Sequence, residues 1–151
     1  MNRQLSKIHF IFCFVLGIII SSTGNAQVKT TDEKIIEFFG SVEQFEMQKK
    51  NNPGLILYLQ TRVNKGFAIM EYNEERHRDA ILMDDFQIKS GGIETTISSI
   101  ELMQMYEQGT LNILLLKIDI SQQENVIIKL AGTEFVLVLY SVDHINGLLQ
   151  K

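Results

Sequence analysis

Between Asp32 and Lys50 apolar residues return every three or four positions, at Ile35, Phe38, Phe39, Val42 and Phe45. At 100° per residue they form one stripe about 120° wide, the pattern of an amphipathic helix with one face turned inward. Thr30 and Glu33 have the spacing of a capping box, and Asp32 and Glu33 place negative charge in the first turn. Lys49 and Lys50 suit the other end, and Asn51-Asn52-Pro53-Gly54 stops the helix. The reading is one helix over 32–50 with Gly40 in its interior, where glycine costs about 1 kcal/mol relative to alanine.

Beyond Pro53 the period becomes mixed. Leu55–Val63 fits a strand, through Leu-Ile-Leu-Tyr-Leu, and equally a second helix capped by Asn52-Pro53 with Leu55, Leu59 and Val63 inward. Asn64-Lys65-Gly66 is a turn, and Phe67–Tyr72 reads as a strand. Asn73–Asp79 is a loop or one helical turn, Ala80–Ile88 looks extended, and Gly91-Gly92 punctuates. From Ile93 onward the pattern is β: strands are expected at Ile93–Ile100, Leu102–Tyr106 and Leu111–Ile120. In the last of these Leu114, Leu116, Ile118 and Ile120 share one face, while the other turns from apolar to charged at Lys117 and Asp119. Val126–Ala131 and Glu134–Val142 flank Gly132-Thr133 as a tight hairpin, and a short turn or helix, His144–Leu149, closes the chain.

A helix first and an antiparallel meander last predict an α+β domain, with the N-terminal amphipathic helix packed on a mostly antiparallel, curved β-sheet. In element order this resembles the cystatin-like rolls and the nuclear-transport-factor-like cones. The resemblance implies a fold and carries no function with it.

The first 26 residues follow a different logic. Arg3 and Lys7 precede an apolar run from Ile8 to Ile20, and then the chain turns small and polar. A basic start, a short apolar stretch and small residues before a cut are the marks of a secretory signal peptide. Gly24 and Ala26 fill the small-residue positions if cleavage falls between Ala26 and Gln27. The run is shorter than the roughly 20 apolar residues of a membrane-spanning helix. Export to the periplasm or the medium is therefore expected, with no stable membrane span after processing and residues 27–151 as one small domain.

Processing changes the composition. The chain as written has 14 basic and 18 acidic residues, a net charge of −4. Loss of Arg3 and Lys7 moves this to −6, and loss of Cys13 removes the only cysteine. Thiol catalysis and zinc–thiolate sites are then excluded, and stability has to come from apolar burial. Net acidity without clustered Lys and Arg argues against nucleic acid as a partner.

Candidate chemistry is confined to one polar cluster, Glu74, His77, Asp79, Asp84 and Asp85, where an imidazole and carboxylates could form an acid–base pair. Its alternating signs around Arg76 and Arg78 equally describe a solvated surface. No H-E-x-x-H, G-x-S-x-G, Walker A or dinucleotide fingerprint occurs, and no cofactor or metal is called for. The expectation is a non-enzymatic binding or interaction module for a small apolar ligand or an envelope protein partner. The alternative is a small hydrolase or lyase that uses His77 with its neighbouring carboxylates.

Overall fold

Local caps and glycine reversals mark most of the element borders. The computed structural model describes residues 27–151, so the expected signal peptide and the Ala26 side of its cleavage point lie outside the described residues. The Thr30 hydroxyl accepts from the Glu33 N–H while the Glu33 carboxylate accepts from the Thr30 N–H, which starts α1, Thr31–Phe39. This helix does not continue to Lys50. Gly40 takes φ = +83°, a left-handed conformation that ends α1, and Ser41 caps a new helix, α2, Val42–Asn51. The expectation of one helix is thus corrected to two joined at an elbow, and Gly40 is the elbow rather than an interior cost. Asn52 and Pro53 then open α3, Pro53–Lys65, which resolves Leu55–Val63 as helix.

The strands follow. β1 (Phe67–Glu71), β2 (Ile81–Met83), β5 (Val126–Leu130) and β6 (Phe135–Leu139) form one sheet in the order β1-β6-β5-β2. β6 pairs antiparallel with β1 and with β5, whereas β2 runs parallel to β5. β3 (Asp85–Ser90) and β4 (Ile93–Ser98) make a separate hairpin. The stretch Ala80–Ile88, expected as one extended segment, is therefore divided between two sheets. The hairpin turns at Gly91 and Gly92, both at positive φ, as a two-residue turn between β-strands requires.

Two expected strands are overturned. Leu102–Tyr106 belongs to α4, Ser99–Glu107, and is not a strand. Ser98 and Glu101 make the same reciprocal capping box as Thr30 and Glu33, so the helix has a local cause. Leu111–Ile120 is not a long strand either. It holds one 3₁₀ turn, Ile113–Leu115, and then only an isolated antiparallel bridge from Leu116 to Ile88. The terminal helix expected at His144–Leu149 is present as α5, Val142–Leu149.

The protein is an α+β fold with two apolar clusters. One joins Phe86, Leu102, Ile128, Leu130, Leu137 and Leu139 around the larger sheet. The other joins Ile35, Phe45, Ile56, Leu59 and Val63 from the three N-terminal helices. Leu114 packs against both. Fully burying an aliphatic or aromatic side chain contributes about 1.5–3 kcal/mol, so the clusters supply the stability that a chain without disulfides needs. No helix among the described residues is long and apolar enough to cross a membrane.

Two glycines separate conformational from packing effects. A Cβ at Gly40 or at Gly147 would meet no atom within 4 Å, but only Gly40 has a positive φ. Gly40→Ala is expected to lower unfolding free energy by about 1–2 kcal/mol. Gly147→Ala, within α5, is expected to raise it by about 0.5–1 kcal/mol. Urea titration of both variants checks the pair, and an unchanged Gly40→Ala midpoint would refute the elbow's dependence on glycine.

Candidate functional site

The polar cluster is built by a topological demand. β1 and β2 are parallel and lie at opposite edges of the sheet, so residues 72–80 must carry the chain across it. His77 holds this crossing together. Its Nδ1 accepts from the Asn73 N–H at 2.9 Å, its own N–H donates to the Asn73 carbonyl at 2.8 Å, and Ala80 N–H donates to its carbonyl at 2.9 Å. The Asn73 side chain accepts from Arg76 N–H at 3.0 Å and closes the turn. His77 is only 8% exposed, with its ring 6.1 Å from that of Tyr72. With Nδ1 as acceptor, the neutral ring carries its proton on Nε2.

The four carboxylates are placed differently. Glu74, Asp79, Asp84 and Asp85 are all exposed. Asp79 lies 3.8 Å from Arg78 in an open ion pair, and Asp84 contributes its backbone carbonyl to the Ser99 N–H. Among the described residues no carboxylate hydrogen-bonds the His77 ring, and no three His, Cys, Asp or Glu side chains are grouped to hold a metal ion. His144, likewise, stacks on Tyr140 at 4.4 Å near the start of α5.

A different region has the shape of a binding site. The elbow residues Phe38–Ser41, the hairpin residues Lys89, Gly91 and Gly92, and the segment Leu114–Lys117 enclose an open groove of about 490 Å³. That volume lies within the usual range of small-ligand sites, about 300–1,000 Å³. Phe38 is 43% exposed on its wall, edge-on to Phe39 at 5.3 Å, while Phe39 also leans on the helical cluster. Lys89 faces Glu94 across the hairpin, and the Lys117 ammonium bonds the Glu94 carboxylate at 2.9 Å. That bond and charge, with a smaller contribution from Lys89, hold the Glu94 carboxyl below its ordinary range.

The groove is held in place by a buried amide. Asn112 Nδ2 donates to the Lys34 carbonyl at 2.8 Å and to Glu37 Oε2 at 3.1 Å, while its Oδ1 accepts from Leu114 N–H at 3.2 Å. The same Glu37 Oε2 also accepts from Lys29 Nζ at 2.8 Å. Sequence reasoning missed this joint, because a single Asn in an apolar run gives no sign of a partner 78 residues away. It also missed Arg62, which is 3% exposed, donates through Nη1 to the Tyr140 carbonyl and leaves Nη2 without a partner among the described residues. Burial pushes the Arg62 guanidinium below its ordinary range, partly countered by Tyr58.

No family model, curated protein or solved structure matches this chain.

His77→Phe removes the acceptor of the Asn73 N–H and is expected to cost about 1–3 kcal/mol in urea unfolding. Glu74→Gln and Asp79→Asn, on open surface, should stay within about 0.5 kcal/mol of the parent. A carboxylate substitution as costly as His77→Phe would mean that the imidazole has an acidic partner after all. Asn112→Ala is expected to lose about 1–3 kcal/mol and to move the amide resonances of Gly40 and Gly91 together. Movement of neither glycine would show that Asn112 does not set the groove.

Proposed function

We propose that this chain is an exported, non-enzymatic binding module, processed between Ala26 and Gln27, that takes a small apolar ligand in the groove between the α1–α2 elbow and the β3–β4 hairpin. The observation that carries this reading is the uncovered Phe38 side chain on the wall of a groove floored by Leu114–Leu116. Apolar surface left open in a concave site, beside a few polar groups, is the usual make-up of a ligand pocket. The export pattern at the N-terminus supports the location.

The hydrolase or lyase reading has less to stand on. Catalysis by His77 needs an imidazole nitrogen within reach of a substrate proton. Nδ1 is occupied by Asn73 N–H, the ring itself is buried in an otherwise exposed turn, and the nearby carboxylates are exposed without bonding the ring.

Docking of an envelope protein is favoured by one separate observation. In the β3–β4 register the residues flanking the two-glycine turn pair directly, so the backbone groups of Glu94 and Thr96 point outward from β4. No described residue bonds them, and Ile93 beside them is 71% exposed. An open strand edge of this kind can accept a strand from another chain.

The intact mass of the polypeptide recovered from the periplasmic fraction of an expressing bacterium is expected to begin at Gln27. Titrating that polypeptide with octan-1-ol should shift the amide resonances of Gly40, Gly91 and Gly92 saturably, with Gly54 and Gly147 still. Phe38→Asp should abolish the shifts. Absence of a saturable response at the three groove glycines would sink the ligand reading, and a retained N-terminus would sink the processing.

A further inference from the structure

The groove's charges are unbalanced in one direction. Lys89 and Glu94 are direct cross-strand partners, which puts their side chains on the same face of the hairpin. Lys117 reaches the same carboxylate from the groove floor at 2.9 Å. Two ammonium groups thus lie on the face that carries one carboxylate; that carboxylate is ion-paired with Lys117, and Lys89 has no ion pair among the described residues. Phe38, Phe39, Leu114, Leu115 and Leu116 supply the apolar part of the lining. The local excess of one positive charge lies in a domain whose residues 27–151 carry 12 basic against 18 acidic side chains.

The backbone adds to this. Gly91 and Gly92 are the central residues of the hairpin turn, both line the groove, and their N–H groups are bonded by no described residue. With no side chains there, a ligand can approach these donors closely, and a Cβ at either position would meet nothing within 4 Å. The groove thus has an apolar side at the elbow and a donor-rich, positive side at the hairpin tip. A ligand matching both is amphipathic, with an apolar chain and an anionic head.

Resting on the groove reading above, we infer that the ligand is an anion-headed aliphatic chain, with its chain on Phe38 and Leu114–Leu116 and its head received by Lys89 and Lys117. The overall negative charge of the domain opposes long-range attraction of an anion. Selectivity therefore comes from contact with the two lysines and falls as salt rises.

The test compares three eight-carbon probes with one chain and different heads: octanoate, octan-1-ol and octylammonium. Each is titrated into the processed polypeptide, with the Gly40, Gly91 and Gly92 amides as reporters. Octanoate is expected to bind about threefold to fivefold more tightly than octan-1-ol, the scale of one exposed ion pair, with octylammonium weakest. Lys89→Gln should remove most of that advantage, bringing octanoate close to octan-1-ol measured in the same variant. Equal binding of all three probes would overturn the anionic-head inference and leave the groove reading standing. No response to any probe would overturn both. An octanoate advantage that survives in both Lys89→Gln and Lys117→Gln would overturn the assignment of the head to these lysines.

Discussion

The arrangement of the structure depends first on Asn112, a side chain that fastens two separate apolar clusters together. The helical cluster and the sheet cluster share Leu114 as packing, but packing alone does not fix one body against another at a set register. Asn112 does: one amide bonds the α1 backbone at Lys34, the Glu37 carboxylate and the N–H of Leu114. Leaving any of these polar groups buried without a partner costs about 1–3 kcal/mol, so the joint discriminates sharply against slipped arrangements. Lys29 extends the network by pairing with the same Glu37 oxygen that accepts from Asn112.

Two further constraints follow from topology. Parallel strands at the two edges of one sheet require a long connection, and the nine residues between Glu71 and Ile81 fold back on themselves to supply it. His77 is the residue around which they fold, and its burial is the consequence. At the other end of the sheet Arg62 reaches from α3 to the Tyr140 carbonyl, just where β6 gives way to α5, and Tyr140 N–H in turn bonds Gly66. Gly66 is required there: a Cβ would come within 2.7 Å of the Arg62 side chain and 2.4 Å of its carbonyl. A buried guanidinium with one direct partner is costly as a source of stability. Its value is positional, since it fixes where the third helix meets the end of the sheet.

The class of fold was legible in the sequence because helix caps and glycine turns act locally. Thr30 with Glu33, Asn52-Pro53, Gly91-Gly92 and Gly132-Thr133 all do in the structure what their chemistry suggests. The errors have two causes. At Ser98 and Glu101 the same capping signal was present, but the β-rich stretch before it masked a helix whose inward residues, Leu102 and Met103, are too few to show a period. At Leu111–Ile120 the alternation was sound but a local turn overrode it, because Asn112 accepts from Leu114 N–H through Oδ1 and from Leu115 N–H through its carbonyl, which commits these backbone groups to a 3₁₀ turn instead of a ladder. The candidate site was hidden for a different reason. Lys89, Lys117 and Phe38 are unremarkable one by one, and only the fold brings them to one groove, whereas the conspicuous cluster around His77 is conspicuous because a tight turn needs polar residues.

The elbow at Gly40 explains why apolar surface is left over at all. In a straight helix over 32–50 the stripe Ile35, Phe38, Phe39, Val42 and Phe45 would face one way and be buried together. Breaking it at a left-handed glycine turns α2 back, so that Ile35 and Phe45 from its two ends enter the same cluster at 0% and 2% exposure. The middle of the stripe cannot follow, and Phe38 and Val42 remain 43% and 53% exposed at the bend. A fold under selection for stability alone gains by covering such residues or replacing them with polar ones. Here the uncovered Phe38 lies beside a hairpin tip made of two side-chain-free residues, across a floor fixed by Asn112. The helical periodicity that marks these residues as core in the sequence, and the break that prevents them from being core, together produce the wall of the groove.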